Sequence, residues 1–160
     1  KEPVCPVCRE ELRYIEEPLC MKCGKQLLEE QEYCEDCRSR EHAYTQGRSV
    51  FQYASVSDAM FRFKNRGRRE YADFFAWEMY RRTKEWLLTV RPLKDLGVQE
   101  RQNNLKRAFK IVRNDVKLNT IVIIDDIYTT GSTIDAIAQV IRQHMYCQVY
   151  FLTVAIGRGN

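Results

Sequence analysis

The chain has 160 residues, 44% of them hydrophobic and 30% charged, with a net charge of +4 at pH 7. This composition reads as a soluble, globular chain rather than a disordered one, and the length allows one real core plus a small accessory domain. No apolar run approaches the roughly 18 residues needed to cross a bilayer, so membrane insertion is not expected.

No secretory leader is visible, and the expected compartment is the cytoplasm. The chain opens on Lys1 rather than a methionine, so further residues are expected upstream. Charge is unevenly placed. Residues 1–47 carry 7 Lys and Arg against 11 Asp and Glu, whereas residues 48–160 carry 19 against 11. An acidic head on a basic body points to a polyanionic partner for the body.

The head holds three C-x-x-C pairs: Cys5/Cys8, Cys20/Cys23 and Cys34/Cys37. Each such turn aims two thiolates at one centre, and two turns complete a tetrahedral Cys₄ zinc site. Gly24 follows Cys23 directly, as a tight knuckle favours, because glycine accepts positive φ. Cys20, Cys23, Cys34 and Cys37 are therefore expected to form one closed, structural zinc site. Disulfides fit a cytoplasmic chain poorly, and a redox dithiol would need a βαβ context that the head lacks. Cys5 and Cys8 are left without partners. They imply either a matching pair upstream of Lys1 or competition for the first metal. His42 and His144 are expected at the surface or in capping roles.

Residues 38–47 read as a linker, giving a zinc-ribbon domain over 1–47 and a second domain over 48–160. "RSVFQYAS" reads as a strand. Two helical pieces follow, the first capped by Ser57-Asp58 and broken at Asn65-Arg66-Gly67. The second places Tyr71, Phe74, Phe75, Met79 and Leu87 on one face, as core. "NNLKRAFKIV" begins a further element. "NTIVIID" reads as a buried strand. "GSTIDAIAQVIRQH" reads as an amphipathic helix with Ile134, Ile137, Ala138 and Ile141 inward. "CQVYFLTVAI" is a last strand, with Cys147 in the core. A strand–helix–strand ending argues for a parallel α/β sheet flanked by helices.

Asp125 and Asp126 stand side by side at the end of the "IVII" run. In an open α/β sheet, ligands bind beyond the carboxyl ends of the strands. The loop Thr129, Thr130, Gly131, Ser132 and Thr133 leads into a helix, whose first amides and dipole favour an anion. Two carboxylates suit a sugar diol or Mg²⁺, and the loop suits a phosphate. Together they describe a ribose 5-phosphate site.

"IVIIDDIYTTGST" resembles the phosphoribosyl pyrophosphate (PRPP) motif of type I phosphoribosyltransferases. The cysteine head, "FKNRG" (63–67), "ERQNNLKRAF" (100–109) and this motif together resemble the ComF/ComFC family of competence proteins. The resemblance implies a zinc-ribbon head on a type I phosphoribosyltransferase-like body. It also implies a role in natural transformation, handling incoming single-stranded DNA at the cytoplasmic face of the membrane with a ComFA-type DNA helicase. The chain departs from the family in one region: runs like "IPVPL" and "RGFNQ" are lacking, so residues are expected to be missing near Arg91–Lys94. Purine-salvage relatives carry an acidic residue where Thr129 stands.

Two functions follow as expectations. One is single-stranded DNA handling, in which Lys64, Arg66, Arg68, Arg69 and Arg101 meet phosphates; Lys106, Arg107, Lys110 and Arg113 extend the second basic cluster. The other is a Mg²⁺-dependent phosphoribosyltransferase that displaces pyrophosphate from PRPP.

Overall fold

The computed structural model describes residues 4–90 and 118–157. Arg101, the 106–113 basic cluster, the "NNLKRAFKIV" element and the expected gap at Arg91–Lys94 all lie outside the described residues.

Two short helices, α1 (Pro6–Glu11) and α2 (Glu35–Ser39), belong to the head. They are followed by β1 (Gln46–Gln52), α3 (Tyr53–Asn65), α4 (Glu70–Thr89), β2 (Thr120–Tyr128), α5 (Ser132–His144) and β3 (Gln148–Ile156). The three strands form a parallel sheet in the order β1-β3-β2. The fold is thus mixed α/β, a small parallel sheet flanked by helices, with a small cysteine-bearing head ahead of β1.

β3 is central and is buried along almost its whole length. Its apolar run suits a strand covered on both faces. On one face Val149, Phe151, Ile123 and Tyr128 pack against Ile134, Ala138 and Ile141 of α5 and against the head. On the other, Leu152, Val154 and Phe51 pack against Val56 and Met60 of α3 and Phe74, Phe75 and Met79 of α4. Tyr71 packs at the rim of that cluster, Leu87 is half-buried, and Cys147 is half-buried against the first face.

Three readings of the sequence need correction. "NTIVIID" is only half-buried, and Ile124 is 72% exposed. β2 lies at the edge of the three strands, so its apolar side chains lack cover on part of one face among the described residues. Ser57 and Asp58 do not cap α3, which starts four residues earlier, straight from β1. Packing of Val56 and Met60 against the sheet overrides the cap signal; Asp58 instead pairs with Arg62 one turn on, at 2.7 Å. The break at 65–67 does occur: α3 ends at Asn65, and Gly67 takes φ +61.

The third correction concerns the stretch read as a linker. His42 and Tyr44 are buried within it, so it is packed structure. The head also joins the sheet. The Ile15 amide donates to Val50 and the Gln52 amide to Arg13, so residues 13–15 run antiparallel along the outer side of β1.

Candidate functional sites

The metal centre comes first because its ligands are local in sequence. The amide of Gly24 donates to the Cys20 carbonyl and that of Arg38 to the Cys34 carbonyl, closing the two turns. Gly24 holds φ +71, and a Cβ there would lie 2.6 Å from the Gly47 carbonyl oxygen. Both the backbone sign and the close approach therefore require glycine. The four sulfurs of Cys20, Cys23, Cys34 and Cys37 lie within 4.8 Å of one another. Cys23 Sγ and Cys34 Sγ are 3.7 Å apart, close to the ~3.8 Å edge of a tetrahedron with Zn–S bonds of ~2.3 Å. Cys20, Cys23 and Cys34 are buried and Cys37 is half-buried. The four cysteines are positioned to bind a zinc ion in a closed site, with the hallmark of a structural rather than a catalytic metal.

The electrostatics agree. A hydrogen bond between the Cys20 and Cys23 sulfurs pulls the Cys20 thiol far below its ordinary range and pushes Cys23 far above it. Four crowded thiols resist holding several negative charges at once, and a dication removes that conflict. Cationic side chains also feel the cluster. Burial lowers the Arg48 pKa, and Cys20 and Cys23 oppose that shift. Burial would lower Lys25 as well, but Asp36, Cys34 and Cys23 hold it above its usual value.

Cys5 and Cys8 stay apart from this cluster. Both are exposed, and the Cys8 amide donates to Cys5 Sγ at 3.4 Å. Among the described residues the metal-type cluster is complete without them, which argues against competition for that metal.

The second site lies at the carboxyl end of β2. Asp125 Oδ1 accepts from the Asp126 amide at 2.8 Å. The strand then ends in Tyr128, and the chain turns through Thr129–Thr133 into α5. Gly131 is the residue before the helix and holds φ +79. A Cβ there would approach Tyr128 Oη to 2.6 Å. The hydroxyls of Thr130 and Ser132 face each other at 2.8 Å. Residues 127–134 line a shallow pocket of about 40 Å³, more than the ~10–15 Å³ that one water requires. The first turn of α5 opens into the same loop, so its amides and dipole favour a small anion there.

The basic residues are distributed as follows. Lys64, at the end of α3, is ion-paired with Asp126. The Arg66 guanidinium lies over the Phe61 ring at 5.6 Å. Arg68 pairs with Glu70, and Arg69 is exposed at the start of α4. The structure thus brings Lys64 to the aspartate pair, while Arg66, Arg68 and Arg69 occupy the α3–α4 turn.

Sequence reasoning missed five residues at this site: Arg40, His42, Tyr44, Tyr128 and Asp135. Arg40 donates to the Thr130 carbonyl. Tyr44 Oη and Tyr128 Oη are 2.6 Å apart in the interior. Burial pushes both phenol pKa values far above their ordinary range. Asp135 Oδ1 accepts from the Ala43 amide at 2.8 Å, and Oδ2 lies 2.7 Å from His42 Nδ1. His42 is therefore a buried partner of α5 rather than a surface residue. His144 does cap, with Nδ1 2.8 Å from the Val140 carbonyl. The S-x-x-D spacing of Ser132 and Asp135 was a visible capping signal, but the carboxylate turns to the head instead. Nothing local marked Arg40 or Tyr44.

No helix among the described residues is long and apolar enough to cross a membrane. No curated protein and no solved structure matches the chain. Residues 1–38, which include all six paired cysteines, match the family model of a double zinc ribbon domain.

Proposed function

We propose that the chain is a ComF/ComFC-type competence protein that handles single-stranded DNA in the cytoplasm, working with a ComFA-type DNA helicase. In this reading the body is phosphoribosyltransferase-like, and its Thr129–Thr133 loop receives a phosphate. The observation that supports it most is a juxtaposition: the Asp125–Asp126 pair, the anion-favouring loop and Lys64 lie at one end of β2. The α3–α4 turn adds Arg66, Arg68 and Arg69. A zinc ribbon beside such a surface accords with nucleic-acid binding, without being specific to it.

Phosphate contacts of this kind give affinity that falls steeply with salt and tolerates sequence changes. The test is binding of a labelled single-stranded oligonucleotide from 50 to 200 mM salt, by wild type and by Lys64→Glu with Arg66→Glu. The reading expects a steep salt slope and a loss of roughly tenfold or more in the double variant. Salt-independent binding, or an unchanged variant, would contradict it.

A second reading is a Mg²⁺-dependent phosphoribosyltransferase using PRPP. Its support is the placement of two carboxylates directly before a phosphate-type loop. If Mg²⁺ binds, Asp125 and Asp126 are the residues suited to hold it with the ribose hydroxyls. Thr129 supplies a hydroxyl where an acidic group would act as a proton acceptor at neutral pH. The test is pyrophosphate release with nucleobase or amine acceptors, abolished by Asp125→Ala with Asp126→Ala. No release across such acceptors would remove this reading.

A further inference from the structure

Four residues of the segment between the last zinc-type cysteine and β1 (Arg40, His42, Ala43 and Tyr44) are tied to the Thr129–Thr133 loop or to its neighbours Tyr128 and Asp135. Arg40 donates to the Thr130 carbonyl. His42 Nδ1 and the Ala43 amide take the two oxygens of Asp135, at 2.7 and 2.8 Å. Tyr44 Oη meets Tyr128 Oη at 2.6 Å. The Thr45 amide donates to the Val149 carbonyl at 2.6 Å, anchoring the strap to β3. Three of the four partner residues, Tyr128, Thr130 and Asp135, are in or beside the loop.

The other end of the segment is fixed by the metal centre. Cys34 and Cys37 lie just upstream in sequence. Cys20, Cys23 and Cys34 share one continuous buried cluster with Tyr44, Tyr128 and Ile134. The His42 side chain is fully buried, with its ring stacked on Tyr44 at 4.8 Å. Its Nε2 is buried with no hydrogen-bond partner. A buried imidazole with one unpaired nitrogen stays in place only if the surrounding packing holds it there. Part of that packing comes from the head through Tyr44, which clusters with Cys20, Cys23 and Cys34 and has Lys22 Nζ 5.3 Å from its ring centroid. Small metallo-domains of this type fold with their metal and lose their structure without it.

We propose that residues 40–45 act as a strap through which zinc occupancy of the four-cysteine site sets the conformation of the Thr129–Thr133 loop. Zinc holds the head closed, the closed head places the strap, and the strap fixes Tyr128, Thr130 and Asp135. Removing zinc frees the strap and loosens the loop, while Phe74, Phe75 and Met79 keep the buried neighbours Val56, Met60, Leu152 and Val154, none of which belongs to the head. The two sites are then coupled through one physical element with two states. The inference goes beyond the phosphate reading and stands on geometry whether or not the loop binds a phosphate.

The test is amide hydrogen exchange of the full chain, zinc-loaded and after chelation, with no other ligand present. Peptides covering 128–135 report the loop, and peptides with Phe74, Phe75 and Met79 serve as the internal reference. Asp135→Ala is measured alongside, because it cuts the strap contact while leaving all four cysteines intact. The strap expects exchange over 128–135 to rise at least tenfold on chelation, with the reference unchanged. It expects Asp135→Ala to raise loop exchange with zinc content still one per four-cysteine site. Three results would overturn it: an unchanged loop after chelation, an equal rise in the reference peptides, or an Asp135→Ala loop that exchanges as wild type does.

Discussion

Lys64 is ion-paired with Asp126. Two segments about sixty residues apart, one basic and one acidic, therefore meet at the carboxyl end of β2. The pair is partly exposed, with side chains 46% and 28% accessible, so its contribution to stability is small, under about 1 kcal/mol. Its importance is competitive. An anion recruited by Lys64 competes with the Asp126 carboxylate for the ammonium, and a cation or diol held by Asp126 competes with Lys64 for the carboxylate.

Asp126→Asn separates the two functional readings. It removes a local negative charge and frees the lysine. Single-stranded DNA affinity at low salt is expected to rise about two- to fivefold, read by fluorescence anisotropy. Mg²⁺-dependent PRPP retention, read by calorimetry, is expected to fall. Loss of both would mean that Asp126 serves the fold alone.

The zinc centre gives a second prediction. Structural zinc contributes apparent binding free energies of about 10–16 kcal/mol in zinc-finger peptides near pH 7. Replacing a buried ligand, as in Cys34→Ser, is expected to abolish zinc retention at that site and lower Tm by roughly 10 °C or more. Metal analysis and thermal melts check this. Because the thiols must lose protons to bind zinc, retention is expected to weaken as pH falls. Cys5→Ser with Cys8→Ser should leave the four-cysteine site loaded, since neither thiol belongs to it.

Two glycines make a controlled pair. Gly67 and Gly131 both hold positive φ, at 61° and 79°. An added Cβ meets nothing within 4 Å at Gly67, whereas at Gly131 it meets Tyr128 Oη at 2.6 Å. Gly67→Ala therefore carries only the backbone cost, about 1–2 kcal/mol. Gly131→Ala carries that cost and a clash with a hydroxyl that Tyr44 holds in place. Denaturant melts are expected to rank Gly131→Ala as clearly the more destabilising. Equal losses would mean that Tyr128 can move aside.

The buried tyrosine pair predicts non-additivity. Tyr44→Phe leaves the Tyr128 hydroxyl buried without its partner, and the reverse holds for Tyr128→Phe. Each single variant is expected to lose about 1–3 kcal/mol. The double variant removes both hydroxyls and is expected to lose less than the sum. A double-mutant cycle by denaturant unfolding measures the coupling.

What could be read from the sequence was what is contiguous in it. The zinc ligands obey a spacing rule because each turn is local, and 125–133 is a single strand-to-helix connection. The strap could not be read, because its partners lie far away in sequence: 84 residues between Tyr44 and Tyr128, 90 between Arg40 and Thr130, and 93 between His42 and Asp135. His42 and Tyr44 sit in a polar stretch whose composition resembles a linker, and only tertiary packing buries them. Ser57-Asp58 failed as a cap for a related reason. A local preference of about 1 kcal/mol yields to the burial of Val56 and Met60. The apolar run of β2 indicated a strand but not its position at the edge, which depends on the order of pairing.

The most direct measurement is competition between PRPP and single-stranded DNA. A labelled oligonucleotide is bound to the zinc-loaded chain at low salt, then titrated with PRPP and Mg²⁺. Salt-sensitive DNA binding that PRPP displaces is the predicted result, and it would place the DNA phosphate at or near the Asp125–Thr133 loop. PRPP binding with no DNA binding at any salt concentration would contradict the account and leave the enzyme reading in its place.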